Sequence, residues 1–251
     1  MASHFSCTEH FWVSNYIFQI MQSFKLEKSS GKISYMLSAR ELSIAWSDDP
    51  MHWSWRSIPE SRLLIFSCSL KSPSMPFLFN RLIGLAFNFF QLIFRRFSQV
   101  AELRTTDWLE IRGKMKTKIL SSNTTYGAYL IMKIYDRAYG LDPIPSEISV
   151  AVGDQISKGT AYLRRRGDGK KQKMESLFYR NRIEMMRNRV KEEGDGRVPS
   201  ERGDGWMEIE LGEFFNGEAS DQEVKMSLME IKGYQLKGGL VIEGIEVRPK
   251  D

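Results

Sequence analysis

With 251 residues, 42 % hydrophobic and 27 % charged, the chain has the make-up of an ordinary globular protein and the length for one large domain, or one domain with additions. The net charge of +5 is unevenly spread: residues 158–191 hold twelve Lys or Arg against three Asp or Glu, a balance of +9, so the remainder stands at −4 and the basic character belongs to one segment. Only two cysteines, Cys7 and Cys68, are present, so a disulfide framework is not needed and a reducing compartment is expected, with cytoplasm and nucleus as the expected location.

Residues 1–24 show no clear period. No basic region precedes an apolar run, and the apolar stretch 11–21 is broken by Ser14, Asn15 and Gln19, so no secretory signal is expected. From residue 25 the pattern sharpens. Residues 35–46 (YMLSARELSIAW) predict one or two strands, in which Leu42, Ile44 and Trp46 share parity and face the same way.

Residues 44–59 (IAWSDDPMHWSWRSIP) are the densest functional signal in the chain. Trp46, Trp53 and Trp55 fall close together, and Asp48, Asp49 and Pro50 predict a turn between them, because Asp side chains bond nearby backbone and Pro presets its own φ. Two readings stand side by side. Indole rings offer flat apolar faces that stack on the C–H faces of a sugar, with a polar N–H as a handle, while Asp48, Asp49 and His52 supply hydrogen bonds to hydroxyls. Alternatively, the tryptophans are core.

Residues 63–96 (LLIFSCSLKSPSMPFLFNRLIGLAFNFFQLIFRR) break the composition of their surroundings: dense in Phe, Leu and Ile, without an acidic residue. The uncharged run 82–94 is too short to span a bilayer as a helix, which takes about 20 residues. A foreign insertion, such as a translated retained intron, accounts for the break. Its phenylalanines would then form an exposed apolar patch standing apart from the strands, prone to aggregation or membrane docking.

After residue 97 the chain reads as β. Leu109, Ile111, Met115 and Ile119 alternate with Glu110, Arg112, Lys114, Lys116 and Lys118, the pattern of a strand with one buried and one wet face. Residues 126–135 are apolar on both faces and predict a central strand. Ile148, Val150 and Val152 mark another, as do Met207, Ile209 and Leu211, and then Val224, Met226 and Leu228. Residues 240–247 form the last strand, with its inward parity shifting at Gly244 as at a β-bulge. Together these predict an all-β, antiparallel, jelly-roll-like β-sandwich. The basic segment 158–191, with Arg164, Arg165, Arg166, Lys170, Lys171 and Lys173, is expected outside the sandwich as a solvated loop or peripheral helix, with RNA contact or nuclear import as its sharper readings.

No enzyme constellation is found. His4, His10 and His52 lack metal-ligand spacing, no phosphate-cradling glycine loop or nucleophile elbow is present, and Glu208 and Glu210 sit on a polar strand face. A non-enzymatic protein without cofactor or metal is expected.

Six stretches carry a family resemblance: LEKSSGKISYMLSARELSIAW (26–46), HWSWRSIPESR (52–62), FSQVAEL (97–103), WLEIRGKMKTKILS (108–121), ERGDGWMEIELGEFFN (201–216) and KGGLVIEGIEVRPK (237–250). In these the chain resembles the plant phloem protein 2 family of lectins, related to Nictaba and often joined to an F-box. The resemblance implies metal-free binding of N-acetylglucosamine oligomers or N-glycan cores. It places the sugar site on positions matching Trp46, Trp53, Glu223 and Glu230. It divides the chain into a divergent N-terminal segment, 1–24, too short for an F-box, and a lectin domain, 25–251, interrupted by 63–96. The implied partners are glycans or glycoproteins, with a homodimer as the candidate assembly. A ubiquitin-ligase adaptor enters only through an F-box in a longer form. The alternative function is the substrate-recognition part of such a ligase, with a protein or glycoprotein ligand.

Overall fold

The computed structural model describes residues 24–26, 31–57, 97, 99–141, 144–163, 196–217, 221–232 and 235–250. These form two antiparallel sheets packed face to face. The larger contains β1 (Phe24–Leu26), β2 (Ile33–Ser38), β4 (Trp53–Ser57), β5 (Gln99–Leu103), β7 (Thr124–Tyr139), β10 (Ser200–Glu201), β11 (Met207–Asn216) and β13 (Gly238–Pro249). Its main path runs β1-β2-β13-β7-β11-β10, and β5 joins β13 on one side and β4 on the other. The smaller runs β3-β6-β12-β8-β9, from β3 (Ser43–Ile44), β6 (Leu109–Lys116), β12 (Glu223–Glu230), β8 (Ser146–Val152) and β9 (Gln155–Ala161). The expected all-β sandwich is what forms.

The alternating faces explain the layers. Along β6, Leu109, Ile111 and Met115 are buried while Arg112, Lys114 and Lys116 are exposed. Gly113 takes the remaining inward position, because an added Cβ would meet side-chain carbons of Ile245, Leu42 and Leu37 at 3.0–3.3 Å. Leu37, Ile111, Leu130, Ile148, Leu228 and Ile245 are all within the one core cluster between the sheets. Burial of such side chains contributes roughly 1.5–3 kcal/mol each relative to exposure.

β7 is the central strand that residues 126–135 predict: β11 flanks it on one side and β13 on the other. Its second face is covered too. Tyr129 and Ile131 join Val100, Val241 and Trp206 in a smaller buried cluster, with Met36 packed against it. The turn ahead of β11 lays Trp206 over this patch and is held by Arg202, whose guanidinium pairs with Glu208 (2.6 Å) and Glu246 (2.7 Å). Arg248 reaches Glu208 at 2.6 Å and lies 3.7 Å above the Tyr129 ring. Burial alone pushes the Glu208 carboxyl up, but Arg248 and then Arg202 outweigh it and hold its pKa below the ordinary value.

The parity shift in the last strand is a bulge between Ile242 and Gly244. Glycine is required there because β2 comes so close that a Cβ would sit 1.9 Å from the Leu37 carbonyl oxygen.

Three strands escape the alternation rule. β4 and β5 pair with each other and continue onto β13. β9 overlaps the start of the segment expected to be a basic loop: Lys158 lies on a strand paired with β8, opposite Ser149. As an edge strand β9 buries little, so its sequence carries no strong apolar period. It also closes one side of the sandwich. The Gln155 side-chain amide donates to the Phe215 carbonyl (3.3 Å) and accepts from its N–H (3.1 Å), linking the smaller sheet to β11 of the larger. Residues 164–191, 63–96 and 1–23 lie outside the described residues, so the expectations placed on them are not addressed by the fold.

Candidate functional site

The aromatic turn is built by backbone bonds of its own and tied down by two indoles. Ser47 N–H donates to Ile44, Asp49 N–H to Trp46, and both His52 and Trp53 N–H to Asp49, at 3.0–3.2 Å. The Asp49 carboxylate accepts the Met51 N–H at 2.8 Å, the local bonding expected of an Asp before Pro50. From β4, Trp53 Nε1 donates to the Ala45 carbonyl (3.0 Å) and Trp55 Nε1 to the Ser47 carbonyl (3.1 Å). Arg40 stacks 3.6 Å over the Trp55 ring and so fixes that side chain.

The two indole N–H groups hold the carbonyls on either side of Trp46. That residue adopts φ +62°, a left-handed conformation rare for a bulky side chain. The strand therefore stops at Ile44, and the parity expected to bury Trp46 with Leu42 and Ile44 is lost. Leu42 and Ile44 are buried, whereas Trp46 is 58 % exposed. Its ring lies 5.8 Å from His52, tilted by 37°. His52 Nδ1 donates to the Thr105 carbonyl at 2.8 Å, which leaves Nε2 on the Asp49 side, 3.8 Å from its carboxylate. Ile44, Trp46, Ser47, Asp48 and Asp49 line a shallow, open depression of about 470 Å³.

The four positions assigned by resemblance separate. Trp53 is 2 % exposed and belongs to the core between the sheets, so its ring has no free face for a sugar. Glu230 is buried against Lys237, whose ammonium also donates to the carbonyls of Asp107 (2.7 Å) and Gln235 (3.0 Å). Burial draws the Lys237 pKa down, and the charge of Asp107 opposes this. Glu230 faces Leu109 on β6 and so shares an end of the smaller sheet with the Trp46 turn, where Ala45 N–H bonds the Glu110 carbonyl. Glu223 is half-buried at the other end of β12, about 23 Å away along an extended strand. It pairs with Lys225 at 3.6 Å. One expected site residue, Trp46, is thus presented to solvent at the turn. Two are packed as scaffold, and Glu223 is distant.

Sequence reading missed Trp108. It is 42 % exposed at the same end of β6, with Nε1 donating to Glu110 at 2.8 Å. The signal was present: Trp108 shares the outward parity of Glu110 and Arg112. Among the described residues no group of three or more His, Cys, Asp or Glu is placed to hold a metal ion.

The described residues thus form a two-sheet β-sandwich that carries a braced aromatic turn at one end. The phloem protein 2 family matches residues 32–66 and 86–249, leaving 67–85 unmatched between the two segments, and the chain belongs to that family. It is 49 % identical over 231 residues to the F-box protein VBF of Arabidopsis thaliana, covering 90 % of this chain and 70 % of that protein. The F-box protein PP2-B13 of Arabidopsis thaliana is 50 % identical over 230 residues, with 90 % and 69 % covered. A solved Podospora anserina β-(1,4)-mannanase overlays with a TM-score of 0.33 at 6 % identity, over 87 % of this chain and 28 % of that one, too distant to support any inference. Neither the family description nor the names of these relatives denote an enzyme.

Proposed function

We propose that the chain is a non-catalytic carbohydrate-binding domain for N-acetylglucosamine oligomers or N-glycan cores, acting in the cytoplasm and nucleus without a metal. The observation that carries the reading is Trp46: a large, exposed aromatic held in a strained backbone conformation by hydrogen bonds from Trp53 and Trp55. Strain of this kind costs on the order of 1–3 kcal/mol and persists where the surroundings over-determine it, often at binding sites. Trp46 supplies the stacking face, and Asp48, Asp49 and His52 supply polar contacts for hydroxyl and amide groups. Trp53 and Glu230 serve as scaffold beneath it.

A glycan array with the full chain tests this. Chitin oligosaccharides should bind, binding should survive a chelator, and Trp46→Ala should abolish it while the fold persists. Retained binding in folded Trp46→Ala protein places the site elsewhere.

The F-box names of the Arabidopsis thaliana relatives favour a second reading, in which this domain selects substrates for an F-box ubiquitin ligase. Co-purification of a ubiquitin-ligase adaptor with a longer form, and no glycan bound by the domain, would support it. Residues 63–96 are read as an insertion. The composition break supports this over the whole stretch, whereas the family match leaves only 67–85 unmatched and includes 63–66 and 86–96; a chain lacking 63–96 should be more soluble with sugar binding intact.

A further inference from the structure

The solvent face of the smaller sheet carries a charge arrangement that folding alone opposes. The register aligns Ser43, Arg112, Ser227, Ser149 and Lys158 in one row across all five strands. In the next row Lys114 lies directly opposite Lys225, followed by Ala151 and Ile156. Like charges directly opposite on neighbouring strands are destabilising. Some cations on this face are matched: Arg112 with Glu110 at 2.7 Å, and Lys225 with Glu223 at 3.6 Å. Lys116 lies directly opposite Glu223, while Lys114 and Lys158 are exposed and have no ion-pair partner among the described residues. The floor between the cations is low, since Ser149 and Ser227 bond each other at 2.8 Å beside Ala151.

The outer face of the larger sheet shows what the same fold does when charge serves only structure. There Arg202 and Arg248 are each in contact with Glu208 and Glu246. On the smaller sheet the lysines are not matched in this way, which leaves its solvent face with a surplus of positive charge.

We infer that this face docks an extended acidic segment of a partner protein, with Asp or Glu at alternate positions. Arg112, Lys114 and Lys116 project from the same side of β6 at every second residue. That sets a repeat of about 6.6 Å, the same as alternate side chains of an extended peptide laid alongside. A single nucleic acid strand is the rival polyanion, but its bases rely on successive aromatic platforms. This face offers one exposed indole, Trp108, whose N–H is already held by Glu110. The inference does not depend on the glycan-binding reading.

The test uses the full chain and two fluorescein-labelled peptides of equal composition, one alternating Glu and Thr, the other with its glutamates in one block. Fluorescence anisotropy should show tighter binding of the alternating peptide, weakening as salt is added. Lys114→Glu and Lys225→Glu should each lower its affinity about tenfold or more. Lys114→Glu also removes the repulsion and places a carboxylate opposite Lys225 without breaking an existing ion pair, so its melting temperature should rise by a few degrees while affinity falls. That opposite movement separates loss of docking from damage to the fold. Unchanged affinity in Lys225→Glu, equal binding of the two peptides, or tighter binding of oligouridylate than of the alternating peptide would each overturn the inference.

Discussion

Trp46 and Trp53 are seven positions apart in one turn, yet they do opposite work. Trp53 is sealed between the sheets and spends its N–H on the Ala45 carbonyl, whereas Trp46 stands in solvent on a backbone twisted to positive φ. Glu230 and Glu223 repeat the contrast on one strand: the first is buried against Lys237, the second is half-buried beside Lys225. The lesson is that residues grouped by pattern separate once burial is known. In the proposed site the exposed member would meet the ligand, and the buried members shape the backbone beneath it.

Substitutions should widen this contrast before they blur it. Trp53→Ala should be the most damaging, lowering unfolding free energy by about 3–5 kcal/mol in urea titration, since it empties a large core volume and releases Ala45. Binding measured on that variant would report the fold, not ligand contact. Lys237→Ala should cost about 3–5 kcal/mol by the same assay, because it strands the Glu230 carboxylate in the interior. Glu223→Ala, at an exposed pair, should stay within about 0.5 kcal/mol.

A smaller effect is expected in acid. The folded pKa of Glu208 is depressed, so its pairing with Arg248 and Arg202 contributes stability that is fully present above the ordinary carboxylate pKa of 4.5 and is lost as pH falls through the lower folded value. Arg248→Ala should flatten the decline of melting temperature below that pH. A decline equally steep in wild type and variant would assign it to other carboxylates.

Close to neutral as well is Trp46→Gly, which should leave stability unchanged or gain up to about 1 kcal/mol, since glycine accepts positive φ without strain. Sugar binding should nevertheless vanish. If Trp46→Gly instead destabilises as Trp53→Ala does, the exposed ring is structural and the contrast fails.

Much of the sandwich was legible because a wet face and a dry face impose a period of two. β6, β8, β11 and β12 follow it, and even the bulge in β13 is written in its parity shift at Gly244. β9 was not legible, since an edge strand that buries almost nothing has no period to show. The turn was visible as a cluster of aromatics, but the roles within it were not. Whether Trp46 or Trp53 points inward depends on a single residue leaving the extended region, and that follows from tertiary hydrogen bonds that local sequence does not display. Glu230 failed for a related reason. Its carboxylate looks like a ligand group until Lys237, brought beside it by the pairing of Thr106 with Lys237, occupies it.

β13 pairs with β2, β5 and β7, and Val247 lies beside Tyr35, near the opposite end of the described chain. During synthesis the large sheet must therefore wait. β2 and β7 emerge early with edges that only β13 can satisfy, and long-range pairings of this kind form slowly. Until β13 clears the ribosome, the half-built sheet exposes open edges and apolar faces of the sort that attract chaperones or other nascent chains. The same strand that locks the finished sandwich sets the interval in which the unfinished one is most vulnerable.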